Sequence, residues 1–332
     1  MKQYYIKTSP QSKYNAGKAR YDCNKVLSEA GYVAIEIGGK SQNGFIHFVQ
    51  ELFSIISLYY RIPKNCIVFL QVPTFNRISM MIYCIVAYRT KHIQVLIHDL
   101  QSVRTNSDRS LRDEKFVLSK AEKIIAHTEQ MKKMLIGRGF DANKIEVLGI
   151  FDYITDSENT EERKWGYNVT FAGNLGKSEF LALLPKYKEI EFHLYGAYSL
   201  SIPQAPNIHY EGKFLADRIE GIKGDWGLVW DGNSDKVCAG LLGDYLKLIA
   251  SHKLSLYIAA EIPVIVWSKS AMSTFVVSEH LGLVVDSISD IKKVIDNITE
   301  TDKRKIKESL AYYSKLLKQG KIFGSVLEKL KQ

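Results

Sequence analysis

The sequence predicts an α/β protein built from two doubly wound, parallel-sheet domains, and three observations carry that expectation. At 332 residues the chain outgrows a single core, which rarely extends beyond ~250–300 residues. Short continuous apolar runs such as Cys66–Gln71 alternate with longer stretches of helical periodicity. The alternation breaks at an Asp-, Glu-, Ser- and Thr-rich linker and then restarts. The expected division is 1–150, a linker at 151–166, 167–310, and a helical tail at 311–332.

In the first half, residues 2–7 read as a strand and are followed by a polar loop. Asn15-Ala16-Gly17-Lys18-Ala19-Arg20 runs from that loop into a helix reaching about Ala30. A Gly-containing loop between strand and helix lies at the carboxyl edge of a parallel sheet, where ligands bind. Val33–Ile37 is the second strand. Phe45–Tyr60 is a helix apolar nearly all round, which predicts core; an aromatic face against lipid headgroups is the alternative. The strand Cys66–Gln71 runs into Val72-Pro73-Thr74-Phe75-Asn76. A helix from Ile78 to Arg89 leads to the strand Ile93–Ile97, which ends in His98-Asp99. A charged helical segment over 104–118, the strand Lys123–Ala126, the helix Glu129–Arg138 and the strand Ile145–Leu148 complete six strands. Such alternation predicts a doubly wound sheet.

After the linker, Asn168–Ala172 is a strand entering Gly173-Asn174-Leu175-Gly176-Lys177-Ser178, with a helix expected behind it. Further strands read at Glu191–Tyr195, Ile208–Glu211, Trp226–Trp230 (ending in Asp231) and Gly282–Val285. Ser251–Trp267 reads as a short helix, a two-residue turn and a buried strand Pro263–Trp267. Its Lys253 stands in the first helical turn, against the positive end of the dipole, a placement a bound phosphate would explain.

The composition, 46% apolar and 24% charged, is that of an ordinary globular protein. Four scattered cysteines, Cys23, Cys66, Cys84 and Cys238, form no CxxC pair and read as buried small residues of a reducing cytoplasm. The N-terminus lacks a signal peptide's apolar run, and the longest apolar stretch, Ile78–Tyr88, is too short to span a bilayer. Residues 1–150 hold 22 Lys and Arg against 12 Asp and Glu, whereas the remainder holds 23 against 24. The basic surplus therefore lies in the first half, where it suits a phosphorylated substrate or an anionic membrane surface. No motif favours nucleic acid.

No HExxH or DxD motif stands out, so no catalytic metal is expected. GxSxG is absent, and Gly173–Ser178 lacks the GxxxxGK[ST] spacing that wraps a triphosphate. What remains is a Gly-rich turn with Lys177 after one strand and Lys253 before a later helix. At one sheet edge these two cations could clamp a nucleotide diphosphate and stabilise the charge on the departing group.

Phe171-Ala172-Gly173-Asn174, Gly227–Trp230 followed by Asp231, and His252–Val266 resemble bacterial glycosyltransferases of the GT-B type. Among these they resemble the β-1,6-galactofuranosyltransferases of polysaccharide clusters and the glucosyltransferases that extend GlcNAc on streptococcal adhesins. Asn15–Arg20, Gln71–Asn76 and Ile97–Asp99 extend the resemblance over about residues 1–295. It implies two Rossmann-like domains facing each other across a cleft and a metal-independent transferase without a cofactor beyond its donor substrate, a UDP-sugar. That donor would be held by Gly173, Asn174, Lys177, Asp231 and Lys253, with Lys177 and Lys253 on the diphosphate. The common Glu-x7-Glu pattern is absent, which leaves recognition of the donor sugar unassigned. A saccharide or lipid-linked saccharide acceptor would lie near Ala16, Gly17, Arg20, Thr74 and His98, with Asp99 as the base, since inversion needs a carboxylate or imidazole there. Asp99 reads equally as a structural cap. The transferred hexose is expected to be galactofuranose, then glucose or galactose, for a bacterial surface polysaccharide or glycoprotein made at the cytoplasmic side of the membrane. A UDP-sugar epimerase or synthase of similar fold and an inactive paralogue serving as a partner subunit are the rival readings. Homo-oligomerisation stays open.

Overall fold

The computed structural model describes residues 1–8, 17–38, 43–73, 77–199 and 202–331. Ala16 and Thr74, two of the residues expected near an acceptor, lie outside the described residues. The chain divides into two compact units, one holding most of 1–148 and returning at Phe323–Gln332, the other spanning Gly149–Ile322.

The first unit contains β1 (Gln3–Thr8), α1 (Lys18–Glu29), β2 (Val33–Ile37), α2 (Gly44–Arg61), β3 (Ile67–Val72) and α3 (Arg77–Arg89). It continues with β4 (Ile93–Ile97), α4 (Gln101–Thr105), α5 (Asp108–Ser119), β5 (Lys123–Ala126), α6 (Glu129–Gly137) and β6 (Ile145–Val147). Its sheet is parallel, in the order β2-β1-β3-β4-β5-β6. The inner strands are buried on both faces: every residue of β4 is buried. This is why they read as nearly continuous apolar runs, interrupted by Gln71 in β3 and Gln94 in β4.

Three helical starts are capped as their sequences dictate. Asn43 accepts from the Phe45 and Ile46 amides, Ser107 from Ser110 and Thr128 from Met131. The last turns of the chain also belong to this unit. Phe323 packs its ring on Phe69 with centroids 5.6 Å apart.

The second unit contains β7 (Asn168–Ala172), β8 (Glu191–Tyr195), β9 (Ile208–Gly212), β10 (Trp226–Val229), α7 (Gly240–Tyr245) and α8 (His252–Ala259). β11 (Val264–Trp267), α9 (Ser273–Ser278), β12 (Gly282–Val285), α10 (Ile291–Asp296), α11 (Glu300–Lys318) and the start of α12 (Lys321–Lys329) follow. The parallel order β12-β11-β10-β7-β8-β9 reverses direction between β7 and β10. In such sheets that reversal is the topological switch point, and the crevice outside the carboxyl ends of the two strands is the ligand position.

The stretch read as a linker forms no helix or strand but is fastened to this unit. Arg163 donates to the Gly224 carbonyl at 2.8 Å and the Ile222 carbonyl at 3.2 Å, and Asp225 accepts from the Lys164 amide at 2.7 Å.

Three sequence expectations need correcting. The helix behind β7 is 3-10 over Leu175–Lys177 and Glu179–Lys186, with Pro185 inside the second segment. Proline removes a donor that a longer α-helix would use. α2 is not core: only Ile55 and Leu58 are buried, while Phe45 is 76% and Phe53 69% exposed. Cys84 is exposed, unlike the other three cysteines.

His127, directly after β5, donates from Nε2 to the Ile97 carbonyl at 2.8 Å, closing the edge between β4 and β5. Its burial lowers its pKa to about 4, against the partly opposing backbone hydrogen bonds. The free imidazole titrates near 6.5, so between these values the unfolded chain binds a proton that the native chain refuses. Stability therefore rises with pH across this window and is lost as pH falls from 6.5 towards 4, by about 3 kcal/mol from this group. Urea unfolding over that range should show the loss, and His127→Gln, which keeps a donor without a titrating ring, should flatten it.

Candidate functional site

The switch point of the second unit gathers Gly173, Asp231 and Lys253. Gly173 follows β7, Asp231 lies beyond β10, and Lys253 stands in the first turn of α8, whose preceding residue Ser251 makes no side-chain capping bond. Lys253 Nζ lies 2.8 Å from Asp231 Oδ2, 3.3 Å from the Trp230 carbonyl oxygen and 4.8 Å from the centre of the Phe171 ring. The ion pair is mostly buried, with 15% of the lysine and 23% of the aspartate side chain exposed. Asp231, expected to contact the donor, is paired with Lys253. The pair fixes the direction of the ammonium group.

Two glycines make this arrangement possible through space rather than through unusual backbone angles. A Cβ on Gly173 would stand 2.9 Å from Lys253 Cε, and one on Gly227 would stand 2.3 Å from Tyr257 Cγ. Tyr257, one turn along α8 from Lys253, lies between the strand ends: its hydroxyl accepts from the Ala172 amide at 2.8 Å and donates to the Thr170 carbonyl at 3.2 Å. Burial pushes its phenol well above the usual range. The nearby Cys238 thiol, also buried, is pushed up to about 12, which makes it inert packing at neutral pH.

Asn174 and Lys177 occupy the exposed 3-10 turn after Gly173, at the same carboxyl edge. Lys177 faces solvent on that turn, while Lys253 is drawn into the crevice. Among the described residues no group of three or more His, Cys, Asp or Glu could hold a metal ion.

The first unit has its own polar cluster at the carboxyl ends of β3 and β4. Arg20 of α1 donates to the Pro73 carbonyl, and burial lowers its pKa against the opposing influence of Tyr83, Asp99 and Cys23. His98 donates from Nε2 to Gln71 Oε1 at 2.7 Å, and Gln71 in turn donates to Asn24 at 2.7 Å. Asp99 pairs with Arg104 at 2.8 Å. Gly17 immediately precedes α1, whose Lys18 is buried in a 2.5 Å ion pair with Asp22. Arg20, His98 and Asp99 thus share one edge of the sheet.

Sequence reasoning missed Phe171, Tyr257, Gln71 and Arg104. Tyr257 carried a signal, since it stands four residues from Lys253 on the same helix face and a glycine interrupts the apolar strand opposite it.

The glucosyltransferase 3-like N-terminal domain family matches residues 3–150, and the glucosyltransferase 3-like C-terminal domain family matches residues 169–330. The β-1,6-galactofuranosyltransferase WbbI of Escherichia coli K12 is 32% identical over 71% of this chain and 70% of its own length. Glucosyltransferase 3 of Streptococcus gordonii is 28% identical over 70% of this chain and 68% of its own length. Among solved structures, sucrose-phosphate synthase of Thermosynechococcus elongatus superposes with a TM-score of 0.65 at 10% identity, covering 99% of this chain and 98% of that one. The Anabaena HepE protein in complex with UDP and glucose gives 0.59 at 12% identity, covering the whole of both chains. At these identities the structural likenesses establish the fold alone, the two-domain GT-B arrangement.

The two glycines should separate when replaced. Gly173→Ala meets the end of a flexible lysine at 2.9 Å and the rim of the Phe171 ring at 3.3 Å, so thermal unfolding should shift less than in Gly227→Ala while UDP affinity, read by calorimetry, falls about tenfold. Gly227→Ala meets a buried ring and should cost about 1–3 kcal/mol or more in chemical unfolding.

Proposed function

Because the chain belongs to the glucosyltransferase 3-like family, we propose that it is a glycosyltransferase that moves a hexosyl group from a UDP-sugar to a saccharide acceptor. The observation that carries this reading is Lys253, held by Asp231 over a side-chain-free glycine at the switch point of the second sheet. A cation at that position, next to a helix start, fits a nucleotide diphosphate. UDP and UDP-glucose are the molecules named with the HepE structures of the same fold.

In the proposed reaction the bond between the sugar's anomeric carbon and the β-phosphate oxygen breaks, and a bond to the acceptor oxygen forms. The electron pair leaves with UDP, whose growing charge Lys253 and Lys177 stabilise. On binding, the diphosphate takes over hydrogen bonds that Lys253 gives to Asp231 and Trp230. Gly173 and Asn174 admit the phosphates close to the backbone.

Asp99 takes the acceptor's proton, and its ion pair with Arg104 fixes the carboxylate's direction. Gly17, Arg20 and His98, with Ala16 and Thr74, form the acceptor side. The two lysines take the part that a divalent cation plays in metal-dependent transferases, so the reaction is metal-independent. Galactofuranose is the favoured donor sugar because WbbI, at 32% identity, is named for it; glucose, named for the streptococcal relatives, comes next. The acceptor is a saccharide of a bacterial surface polysaccharide or glycoprotein, lipid-linked in the former case and met at the inner face of the membrane.

Purified protein should bind UDP in the presence of EDTA, and Lys253→Ala should weaken this at least tenfold, about 1.4 kcal/mol. Unchanged affinity in the variant removes the central claim. Asp99→Asn should lower kcat by roughly 100-fold or more with UDP affinity intact. A donor screen with UDP-galactofuranose, UDP-glucose and UDP-galactose over short saccharides names the sugar. Turnover without acceptor-dependent product would instead indicate an epimerase or synthase.

A further inference from the structure

α2 carries two apolar faces, of which the fold uses one. Ile55 and Leu58 point inward and are fully buried. Phe45, Ile46, Phe48, Phe53, Ile56, Tyr59 and Tyr60 are all exposed, Phe45 by 76%, Phe53 by 69% and Tyr60 by 82%. At 100° per residue these seven side chains fall within an arc of roughly 160°, so they form one continuous outward stripe. Tyr88 of α3, 75% exposed, extends it: its ring stacks on Tyr59 with centroids 5.8 Å apart. The guanidinium of Arg89 lies 4.8 Å from the centre of the Tyr59 ring. An exposed aromatic surface of this extent marks an interaction site.

The charges around the stripe choose the partner. On α2, in the turn after it and at and just beyond the end of α3, the sequence has four basic residues (Arg61, Lys64, Arg89, Lys91) and one acidic residue, Glu51. Arg61, Lys64 and Lys91 are exposed. A second copy of the chain would bring the same positive surface against itself, since a two-fold interface is self-complementary. An anionic lipid surface offers the opposite charge for the lysines and arginines and an apolar layer for the phenylalanines, and tyrosines suit the boundary between the two. α2 is buried on its other side, and no helix among the described residues is long and apolar enough to cross a membrane. The geometry accordingly describes a helix lying in the interface plane.

We propose that the outward face of α2, extended by Tyr88 and bordered by Arg61, Lys64 and Arg89, docks the protein on an anionic membrane leaflet. This deepens the membrane-side reading given above, and its test uses no donor, so its failure leaves UDP binding untouched.

The experiment is co-sedimentation of the full chain with vesicles of phosphatidylcholine alone or with added phosphatidylglycerol. Binding should require the anionic lipid and weaken with salt. Phe53→Ser combined with Tyr60→Ser should lower the vesicle partition coefficient at least about tenfold while UDP affinity stays unchanged. Arg61→Glu with Lys64→Glu should do the same through charge alone, which keeps the test valid should the aromatic variant misfold. Absence of wild-type binding to anionic vesicles overturns the proposal, as does binding that both variants retain. A wild-type dimer in light scattering that the aromatic variant dissolves would assign the stripe to a second copy and likewise overturn it.

Discussion

The second unit depends on a tyrosine hydroxyl placed where two strands part. β7 and β10 pair only at Val169–Trp226 and Thr170–Gly227, after which their carboxyl ends separate. Separation would strand backbone groups in a buried place, and an unpaired buried amide or carbonyl costs about as much as a lost hydrogen bond. The Tyr257 hydroxyl fills the gap, accepting from Ala172 and donating to Thr170, with the Leu228 carbonyl 3.4 Å away on the other strand. Gly227 exists to admit that ring. The crevice of a doubly wound sheet is a topological consequence, but here it is kept open and hydrogen-bonded by one side chain.

That same side chain sets the electrostatics. Because Tyr257 pins α8 to the strand ends, Lys253, four residues earlier, projects along the same face into the crevice. Its stem crosses the place a Gly173 side chain would occupy, and its ammonium group meets Asp231 and the face of Phe171. A lysine alone in the first turn of a helix would oppose the dipole. The aspartate offsets that repulsion while no anion is present, and its partial exposure leaves the ammonium group accessible to one. The ion pair thus holds a cation ready at modest cost, since a pair that is only mostly buried keeps part of its hydration.

How much of this was legible depended on what each residue must satisfy. A strand covered on both faces is close to a continuous apolar run, so Ile93–Ile97 was readable with its boundaries, while Val33–Ile37, at the sheet edge, was readable because its inward positions Ile35 and Ile37 alternate with exposed ones. Lys253 was legible as an anomaly and Gly173 as a turn, but the pairing of Asp231 with Lys253 was not, because sequence order does not say which of two charges at one edge meets the other. The same limit hid Arg104, whose pairing with Asp99 closes over five residues across the start of a helix. Tyr257 was overlooked because an aromatic in an apolar helix is ordinarily core. Its hydroxyl partners are backbone groups, which carry no sequence signature.

α2 and α8 show why apolar periodicity alone could not place the remaining surface. Leu254–Ala259 of α8 are all buried because the helix lies between the sheet and α11, whose Ser314 donates to the Ala259 carbonyl at 3.0 Å. α2 is as apolar, yet no described element covers its outer side. What distinguishes them is the surroundings rather than the pattern: α8 has a buried tyrosine with satisfied backbone partners, while α2 has tyrosines in solvent, Tyr59 with Arg89 over its ring. A helix whose apolar residues exceed what its own sheet can cover has hydrophobic surface left over, and the sign of the charge at its margin is then the most direct guide to what should cover it.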